Sequence, residues 1–389
     1  MINLINMQNR EWLSAPEAMD QLGVRPQTLY AYVSRGHIEA RAQDEDPRKS
    51  LYRAADVAEL AKRKRQGRKA AQVAANAIAW GEPVLPSAIT TIRGGRLWYR
   101  AVDAAEMART ATMEACAEHL WQAPADLFTV GKTPIPTGPS PRARMFALLA
   151  HRAATDAPAR GRKREALWPE AAGLVDALTK AIAGAPYEGP IHQRLAQAWG
   201  CDGAGADLIR RTLVLTADHE LNASTFAARV TASTGASLAA ATLSGLAALS
   251  GPLHGGMSAR VQVFTQESLK AGPAKAVRAR LDAGLPIPGF GHPLYPSGDP
   301  RVSALLEAFP LTAEYQSMLD AVMELAGEKP NIDFALTALT WSLDLPDEAP
   351  FLMFAAARSV GWIAHSLEQL ETGQLIRPRA RYTGPPVDS

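Results

Sequence analysis

The sequence predicts a mainly α-helical protein, in which a small basic module precedes a larger helical body. The chain has 389 residues, of which 47% are hydrophobic but only 6% aromatic, and alanine is frequent. Such a composition favours closely packed helices over a sheet sandwich. The first 70 residues carry 13 basic and nine acidic side chains, whereas the remaining 319 carry 28 and 30. The basic excess therefore lies in one N-terminal segment.

The length allows two or three domains, and turn and linker signals divide the chain into three segments. Residues 1–69 form the basic module, and residues 70–86 form an Ala-rich linker or connecting helix. Residues 87–389 form the body, in which helical periodicity recurs at 104–121, 142–156, 170–184, 206–218 and 224–248.

Two segments of the body predict other local structure. Two short alternating runs surround Gly94 and Gly95, which is typical of a β-hairpin. The stretch from Thr133 to Pro141 contains four prolines and predicts a loop.

The cysteine count and hydropathy limit the class of protein. The two cysteines, Cys116 and Cys201, are too few for a disulfide framework and favour a reduced, cytoplasmic setting. The N-terminus lacks the cationic start and apolar stretch of a secretory signal. The most apolar window, Ala236 to Leu249, is short for a membrane span and predicts a buried helix. We expect no metal centre either, because no His or Cys pair has ligand spacing on a helix face.

The basic module has the start and stop signals of two short helices. Ser14 is a good N-cap with Glu17 three residues later, and Gly23 is a typical helix end. Pro26 then begins a second helix. Two helices joined by a Gly-containing turn form a helix-turn-helix. A basic, turn-rich stretch and a third helix, expected over 56–69, complete the module.

This arrangement resembles the winged helix-turn-helix of the MerR and excisionase families. The resemblance implies that the second helix enters the major groove of DNA and that the following stretch forms a wing. The candidate DNA-binding residues are then Arg25, Gln27, Thr28, Tyr30, Arg35, Arg48, Lys49 and Arg53. The run 62–69 has six basic residues in eight and could follow the phosphates. The alternative is that the module serves only packing or oligomerisation.

Several short motifs in the body carry chemically useful side chains. They are Ala217-Asp-His-Glu-Leu-Asn-Ala-Ser-Thr225, Pro252-Leu-His-Gly-Gly-Met257, Pro288-Gly-Phe-Gly-His-Pro-Leu-Tyr295 with Asp299-Pro-Arg301, Pro330-Asn-Ile-Asp-Phe334, and Arg358 to His365 with Ile376 to Gly384. Histidines beside glycine-containing turns, together with a carboxylate at Asp333, suit general acid–base chemistry at neutral pH. Clustered arginines suit a dicarboxylate, because guanidinium groups bind carboxylates bidentately. Each histidine alone is more often a buried structural residue, and we interpret His119, His151, His192 and His365 in that way.

Taken together, the motifs of the body resemble the citrate synthase family in order and approximate spacing over about 300 residues. The resemblance implies a largely helical homodimer, or a higher homo-oligomer, with the active site between a large and a small domain. The large domain would comprise 87–255 and 346–389, and the small domain 256–345. Closure of the two domains would assemble the site and exclude water. The implied reaction, that of the tricarboxylic acid cycle, condenses acetyl-CoA with oxaloacetate to give citrate and CoA. Propionyl-CoA in place of acetyl-CoA would give 2-methylcitrate.

The resemblance also assigns roles to individual residues. Asp333 would remove a proton from the acyl-CoA, His254 would stabilise the enol, and His292 would polarise and protonate the oxaloacetate carbonyl. Oxaloacetate would be bound by His219, Arg301 and Arg358, with Arg377 supplied by the other subunit, while Asn222 and Asn331 would orient their neighbours. Acyl-CoA would be a co-substrate, and no permanently bound cofactor is expected.

The sequence departs from the family pattern after the second catalytic histidine. The common pattern Gly-His-Arg-Val-Tyr-Lys is here Gly-His-Pro-Leu-Tyr-Pro, so that Pro293 and Pro296 replace two basic residues that could meet the CoA phosphates. Lys329 is then a candidate for CoA binding. A His-Pro pair also resembles the citryl-CoA lyase branch, so a lyase-like enzyme is one alternative. A metabolite-sensing DNA-binding regulator built on this fold is the other.

Overall fold

A computed structural model describes residues 11–34, 36–43, 46, 49–61, 85–128, 134–380 and 382–385. The chain divides into two compact units, Met1–Pro86 and Ser87–Ser389. The described part of the chain contains no helix that is both long and apolar enough to cross a membrane.

The first unit has a three-stranded antiparallel sheet and short helices around a small core. Its elements are β1 (Trp12–Ser14), α1 (Ala15–Leu22), α2 (Pro26–Ser34), β2 (Ala40–Ala42), β3 (Ser50–Arg53) and a third helix, α3 (54–61), with β3 central in the sheet. The Ser14 N–H and hydroxyl both donate to the Glu17 carboxylate, at 2.8 and 2.7 Å. Gly23 ends α1 in the left-handed region, with φ 59°. The predicted helix-turn-helix is thus confirmed, whereas residues 62–69 of the predicted third helix lie outside the described residues.

The second unit opens with the predicted hairpin. Strands β4 (Thr90–Arg93) and β5 (Arg96–Tyr99) pair antiparallel, and β5 also pairs with β6 (Val102–Asp103). Gly94 and Gly95 both have positive φ, 62° and 71°, which the tight two-residue turn requires. Tyr99 at the end of β5 is fully buried and donates its hydroxyl hydrogen among the carbonyls of Val214, Leu215 and Asp218, 3.0 to 3.2 Å away. The hairpin is thereby fixed to the turn that carries His219.

The rest of the second unit is helical. The helices are α4 (Ala104–Thr110), α5 (Met113–Trp121), α6 (Pro141–Thr155), α7 (Arg164–Ala183), α8 (Ile191–Ala198), α9 (Gly203–Leu215), α10 (Ala223–Ser233), α11 (Leu238–Leu249), α12 (Met257–Ala271), α13 (Pro273–Asp282), α14 (Pro300–Leu306), α15 (Ala313–Ala326), α16 (Ile332–Ser342) and α17 (Ala349–Thr372). The long helix α17 is buried along most of its length and packs on α5, α7, α9, α10 and α11. Helices α12 to α16 pack largely on one another, and one continuous apolar core joins both groups.

Two of the predicted long helices are each divided in two. The segment predicted over 104–121 breaks before Thr112, whose hydroxyl caps α5 by accepting from the Ala115 N–H. The segment predicted over 224–248 breaks at Gly235, and Ser237 caps α11. The Ala-rich periodicity continues through both breaks, so the capping residues are the better signal. Helix α7 also begins earlier than the predicted 170, at Arg164, and Pro169 lies inside it.

Candidate active site

The turn between α9 and α10 places His219 in the interior of the second unit. His219 is 7% exposed, and its Nε2 lies 2.9 Å from the Tyr295 hydroxyl. Its ring also packs edge-on against that of His292, with the centroids 5.3 Å apart. Asn222 caps α10 with its side-chain oxygen and donates its amide to the His219 carbonyl at 3.3 Å. Asn222 thus fixes the turn that carries the histidine.

His254 lies in a compact turn between α11 and α12. Gly255 is required there, because a Cβ would come 2.6 Å from the Leu249 carbonyl oxygen. The His254 Nε2 lies 2.9 Å from the Ser224 hydroxyl, which donates to the Asn222 side-chain oxygen at 2.7 Å and accepts from the Trp362 indole. For the neutral His254 to carry its proton on Nδ1 and donate it to a ligand, the Ser224 hydroxyl has to turn from the Asn222 oxygen and donate to Nε2.

Backbone pairing holds His292 and Asp333 close together. The Gly291 N–H donates to the Lys329 carbonyl, and the Asn331 N–H donates to the Gly289 carbonyl, both at 2.8 Å. The Asn331 side chain adds two bonds, from its amide to the Gly291 carbonyl and from the Asp333 N–H to its oxygen, both 3.0 Å. Asn331 therefore ties the loop of His292 to the first turn of α16, on which Asp333 lies.

The carboxyl group of Asp333 is half-buried and has a raised pKa. Its Oδ1 accepts from the Ser258 hydroxyl at 2.7 Å. Burial raises its pKa to about 6, although that hydrogen bond and the positive charge of Arg301 act in the opposite direction. A carboxylate with this pKa is ionised at neutral pH and is a stronger base than an ordinary aspartate.

The three histidines are neutral at neutral pH. Burial and the Arg358 charge lower the pKa of His254 to about 4, and burial and the Arg301 charge lower that of His292 to about 4. Burial and both arginines hold the pKa of His219 well below its usual value. The His292 Nδ1 accepts from the Leu294 N–H at 3.2 Å, so the neutral ring carries its proton on Nε2.

Arg301 and Arg358 are both buried, but they differ in their partners. Arg301 is 3% exposed and bound bidentately by Asp299, at 2.6 and 2.9 Å. Arg358 is fully buried, and its Nε donates to the Thr216 carbonyl at 3.0 Å. Within the described part of the chain its two terminal nitrogens have no hydrogen-bond partner. Burial lowers the pKa of Arg358 to about 10, so the group still carries its charge at neutral pH.

Two other predicted ligand-binding residues lie at the surface. Arg377 is exposed on the segment after α17. Lys329 is exposed, and its Nζ donates to the Ser297 carbonyl at 2.7 Å. The described residues include no group of three His, Cys, Asp or Glu side chains that could bind a metal ion.

The candidate DNA-binding residues are only partly described. Arg25, Gln27, Thr28 and Tyr30 are exposed along the start of α2, whose one fully buried residue is Leu29. Lys49 is exposed 3.6 Å from the Asp46 carboxylate, and Arg53 pairs with Glu39 at 2.9 Å. The candidates Arg35 and Arg48 and the run 62–69 lie outside the described residues.

Several residues of the site were assigned no role from the sequence. Ser224 and Tyr295 stand inside the quoted motifs, and Ser258 directly follows one, so their position near the histidines was the available signal. His365 was interpreted as a structural residue, and it lies buried with its Nε2 3.2 Å from the Asp218 carboxylate.

Comparisons with known proteins agree with this geometry. The family described as "Citrate synthase, C-terminal domain" matches residues 136–379, and a "Helix-turn-helix domain" family matches 12–65. A citrate synthase of Haloferax volcanii is 41% identical over 191 residues, which cover 46% of this chain and 50% of that protein. A 2-methylcitrate synthase of Corynebacterium glutamicum is 36% identical over 189 residues, covering 45% of this chain and 48% of that protein.

The chain thus spans about half the length of the curated relatives it matches. The crystal structure of citrate synthase from Thermotoga maritima superposes with a TM-score of 0.65 at 26% identity. That match covers 79% of this chain and 96% of the other. The chain therefore belongs to the citrate synthase family and carries a helix-turn-helix domain ahead of the family's fold.

Proposed function

We propose that the second unit condenses an acyl-CoA with oxaloacetate to give citrate, or 2-methylcitrate, and CoA. The observation that carries this proposal is Arg358, a fully buried guanidinium whose two terminal nitrogens have no partner among the described residues. Such a group is costly to bury unless a ligand completes its hydrogen bonds. A carboxylate matches it bidentately. His219 and Arg301, which both contact Tyr295, are the other proposed ligands of a small anionic 2-oxo acid.

Asp333 is the proposed base. It removes a proton from the carbon next to the thioester, and the resulting enol carbon attacks the ketone carbon of oxaloacetate. A thioester α-carbon is a weak acid, so the base benefits from a pKa raised towards neutrality. Water then cleaves the thioester of the condensed product and releases CoA.

The two neutral histidines are the proposed hydrogen-bond donors. His254 donates through Nδ1 to the thioester oxygen and stabilises the enol. His292 donates through Nε2 to the ketone oxygen, to which it delivers a proton as the new carbon–carbon bond forms. Neutral rings suit both tasks, because they donate a hydrogen bond without adding a charge next to the arginines.

The acyl-CoA is a co-substrate in this proposal. Lys329 lies beside the loop of His292 and could meet the CoA phosphates after giving up its bond to the Ser297 carbonyl. Pro293 and Pro296 remove two basic side chains from this loop, so we expect a KM for acyl-CoA that depends strongly on Lys329. Acetyl-CoA and propionyl-CoA differ by one methylene, which an apolar pocket discriminates by only about 1–3 kcal/mol.

We further propose a homodimer in a reduced, cytoplasmic setting. Both Cys116 and Cys201 are free thiols, and Arg377 lies exposed on a segment that could reach the site of a second subunit. The proposed large domain comprises 87–255 and 346–389, and the proposed small domain 256–345. The small domain would then carry His292, Arg301 and Asp333, and the large domain would carry His219, His254 and Arg358. Closure of the two domains would therefore complete the site.

The test is CoA release by the purified protein, followed with a thiol reagent. With oxaloacetate present, we expect release from acetyl-CoA or propionyl-CoA, and the ratio of the two kcat/KM values identifies the preferred donor. Cleavage of citryl-CoA to acetyl-CoA and oxaloacetate without net synthesis would instead favour the lyase-like alternative. A wild-type protein that releases no CoA from either donor would overturn the proposal.

For the first unit we propose DNA as the ligand. The start of α2 presents the exposed residues Arg25, Gln27, Thr28 and Tyr30, and this is the helix that enters the major groove in a helix-turn-helix. A mobility-shift assay on pooled random duplexes should detect binding that weakens steeply with salt. Arg25→Ala should weaken it, whereas Asp20→Asn on the neighbouring helix is the matched control. If duplexes are not bound even at low salt, the module serves packing or oligomerisation, and the regulator alternative fails with it.

A further inference from the structure

A buried Asp–His pair lies next to the proposed 2-oxo acid site without belonging to it. Asp218 directly precedes His219, and His365 lies two helical turns after Arg358 on α17. The His365 Nε2 and an Asp218 carboxylate oxygen are 3.2 Å apart, and both side chains are at most 1% exposed. Residues seven apart share one face of a helix, so Arg358 and His365 face the same turn.

Three contacts fix this turn on α17. The Thr216 carbonyl accepts from the Arg358 Nε at 3.0 Å, and the Ala217 carbonyl accepts from the Gly361 N–H at 3.1 Å. The third contact is the Asp218–His365 pair. The absence of a side chain at Gly361 allows this approach, because a Cβ there would overlap the Asp218 carboxylate.

The pair also has an electrostatic effect on Arg358. Burial works to raise the pKa of Asp218, but interaction with His365 and Arg358 outweighs it and leaves that pKa below its usual value. In return, the Asp218 carboxylate opposes the loss of charge that burial imposes on Arg358. Asp299 compensates the positive charge of Arg301 through a direct bidentate contact. Asp218, by contrast, leaves the terminal nitrogens of Arg358 free of hydrogen bonds within the described residues.

We propose that Asp218 and His365 are positioning residues that orient His219 and Arg358 for binding of the anionic 2-oxo acid. This inference rests on the proposed function and adds two residues to it. His365 donates to Asp218 and so holds the carboxylate against α17. The Asp218 carboxylate stabilises the charged form of Arg358. Its contact with α17 also fixes the backbone immediately before His219. Neither residue touches the substrate.

The test compares two substitutions of His365 in the full-length protein. His365→Leu removes the donor, whereas His365→Gln retains an N–H at nearly the position of Nε2. His192→Gln is the control, since His192 is a buried histidine on α8 whose charged neighbours are Glu114, Arg210 and Asp207 rather than the site. The readouts are kcat, the KM for each substrate, the Kd for oxaloacetate by calorimetry, and the melting temperature.

We expect His365→Leu to raise the KM and the Kd for oxaloacetate about 10-fold or more, as for a buried carboxylate that loses a hydrogen-bond donor. The KM for acyl-CoA should change less than about threefold, because the substitution leaves the rest of the active site folded. His365→Gln should restore most of the oxaloacetate affinity, and His192→Gln should leave it unchanged.

Three results would overturn the inference. One is an unchanged oxaloacetate Kd in His365→Leu. Another is a loss of affinity that is equal for both substrates, parallels the fall in melting temperature and is as large in His365→Gln as in His365→Leu. The third is a wild type that does not bind oxaloacetate at all. A wild type that binds oxaloacetate but releases no CoA would refute the proposed reaction only. The oxaloacetate Kd values of the variants would then still decide whether Asp218 and His365 orient the binding site.

Discussion

Replacing Asp333 with asparagine separates the catalytic use of this residue from its cost to stability. The substitution keeps the size of the side chain and an acceptor for the Ser258 hydroxyl, which lies 2.7 Å from Oδ1. It removes a negative charge that burial disfavours, as shown by the rise of the pKa of Asp333 from 3.8 to about 6. We therefore expect a protein that is more stable and nearly inactive.

The magnitude follows from the pKa. A rise of about two units corresponds to about 3 kcal/mol at most, and because the Asp333 side chain is half-buried rather than fully excluded from solvent we expect about 1–2 kcal/mol. Because the folded-state pKa is higher than the unfolded one, protonation favours the folded state. The penalty of the wild type is therefore absent below about pH 4 and fully present above about pH 6.

The assay is calorimetric melting of the wild type and of Asp333→Asn at pH 8 and pH 4. At pH 8 the variant should melt about 2–4 °C higher in the transition of the second unit, and at pH 4 the difference should vanish. Turnover of the variant at pH 8 should fall at least about 100-fold, the typical contribution of a general base. Lower stability of the variant at pH 8, or turnover close to that of the wild type, would refute the reasoning.

Three further predictions concern the same site. Protonation of Asp333 should reduce kcat as the pH falls through about 6, and a pH–rate profile flat from pH 8 to 5 would exclude Asp333 as the base. Arg358→Lys should raise the KM for oxaloacetate about 10-fold or more, because lysine cannot bind a carboxylate bidentately. The KM for acyl-CoA should stay nearly constant. Equal rises in both KM values would place Arg358 outside the 2-oxo acid site. Gly361→Ala should lower the free energy of unfolding by about 1–3 kcal/mol, because its Cβ would overlap the Asp218 carboxylate and come 2.6 Å from the Ala217 carbonyl oxygen. Urea unfolding checks this value, with Ala364→Gly on the same helix as a comparison for helix propensity, and an unchanged midpoint would mean that the turn is not packed as described.

Local structure was predictable where a residue acts on its own backbone. Ser14 and Glu17 form the predicted N-terminal cap of α1, and the Gly94-Gly95 turn forms where the sequence indicates it. The breaks at Thr112 and Gly235 were missed, because alanine is compatible with a helix on every face and its periodicity does not show where one helix ends. The caps Thr112 and Ser237 marked both breaks.

The site was predictable only in part. The family motifs led to the three histidines and to Asp333, because each of these residues stands in a recognisable short stretch. Their supporting contacts join residues distant in the chain, such as Ser224 with His254 and Ser258 with Asp333, 30 and 75 positions apart. No local pattern encodes such contacts.

His365 shows the same limitation. Its sequence context, a buried helix, is that of an ordinary core histidine. Only the packing of the turn 216–219 on α17 reveals that it bonds to the carboxylate beside His219. A buried histidine is thus structural or functional according to its partner, which the sequence does not name.

The most direct measurement is the stoichiometry of carbon–carbon bond formation. Wild-type protein is incubated with acetyl-CoA labelled in the methyl carbon and with oxaloacetate, and the released thiol and the labelled products are quantified together. One labelled citrate for each CoA released, and no release when oxaloacetate is omitted, is the predicted result. Release of CoA with the label remaining in acetate would show simple thioester hydrolysis and contradict the account.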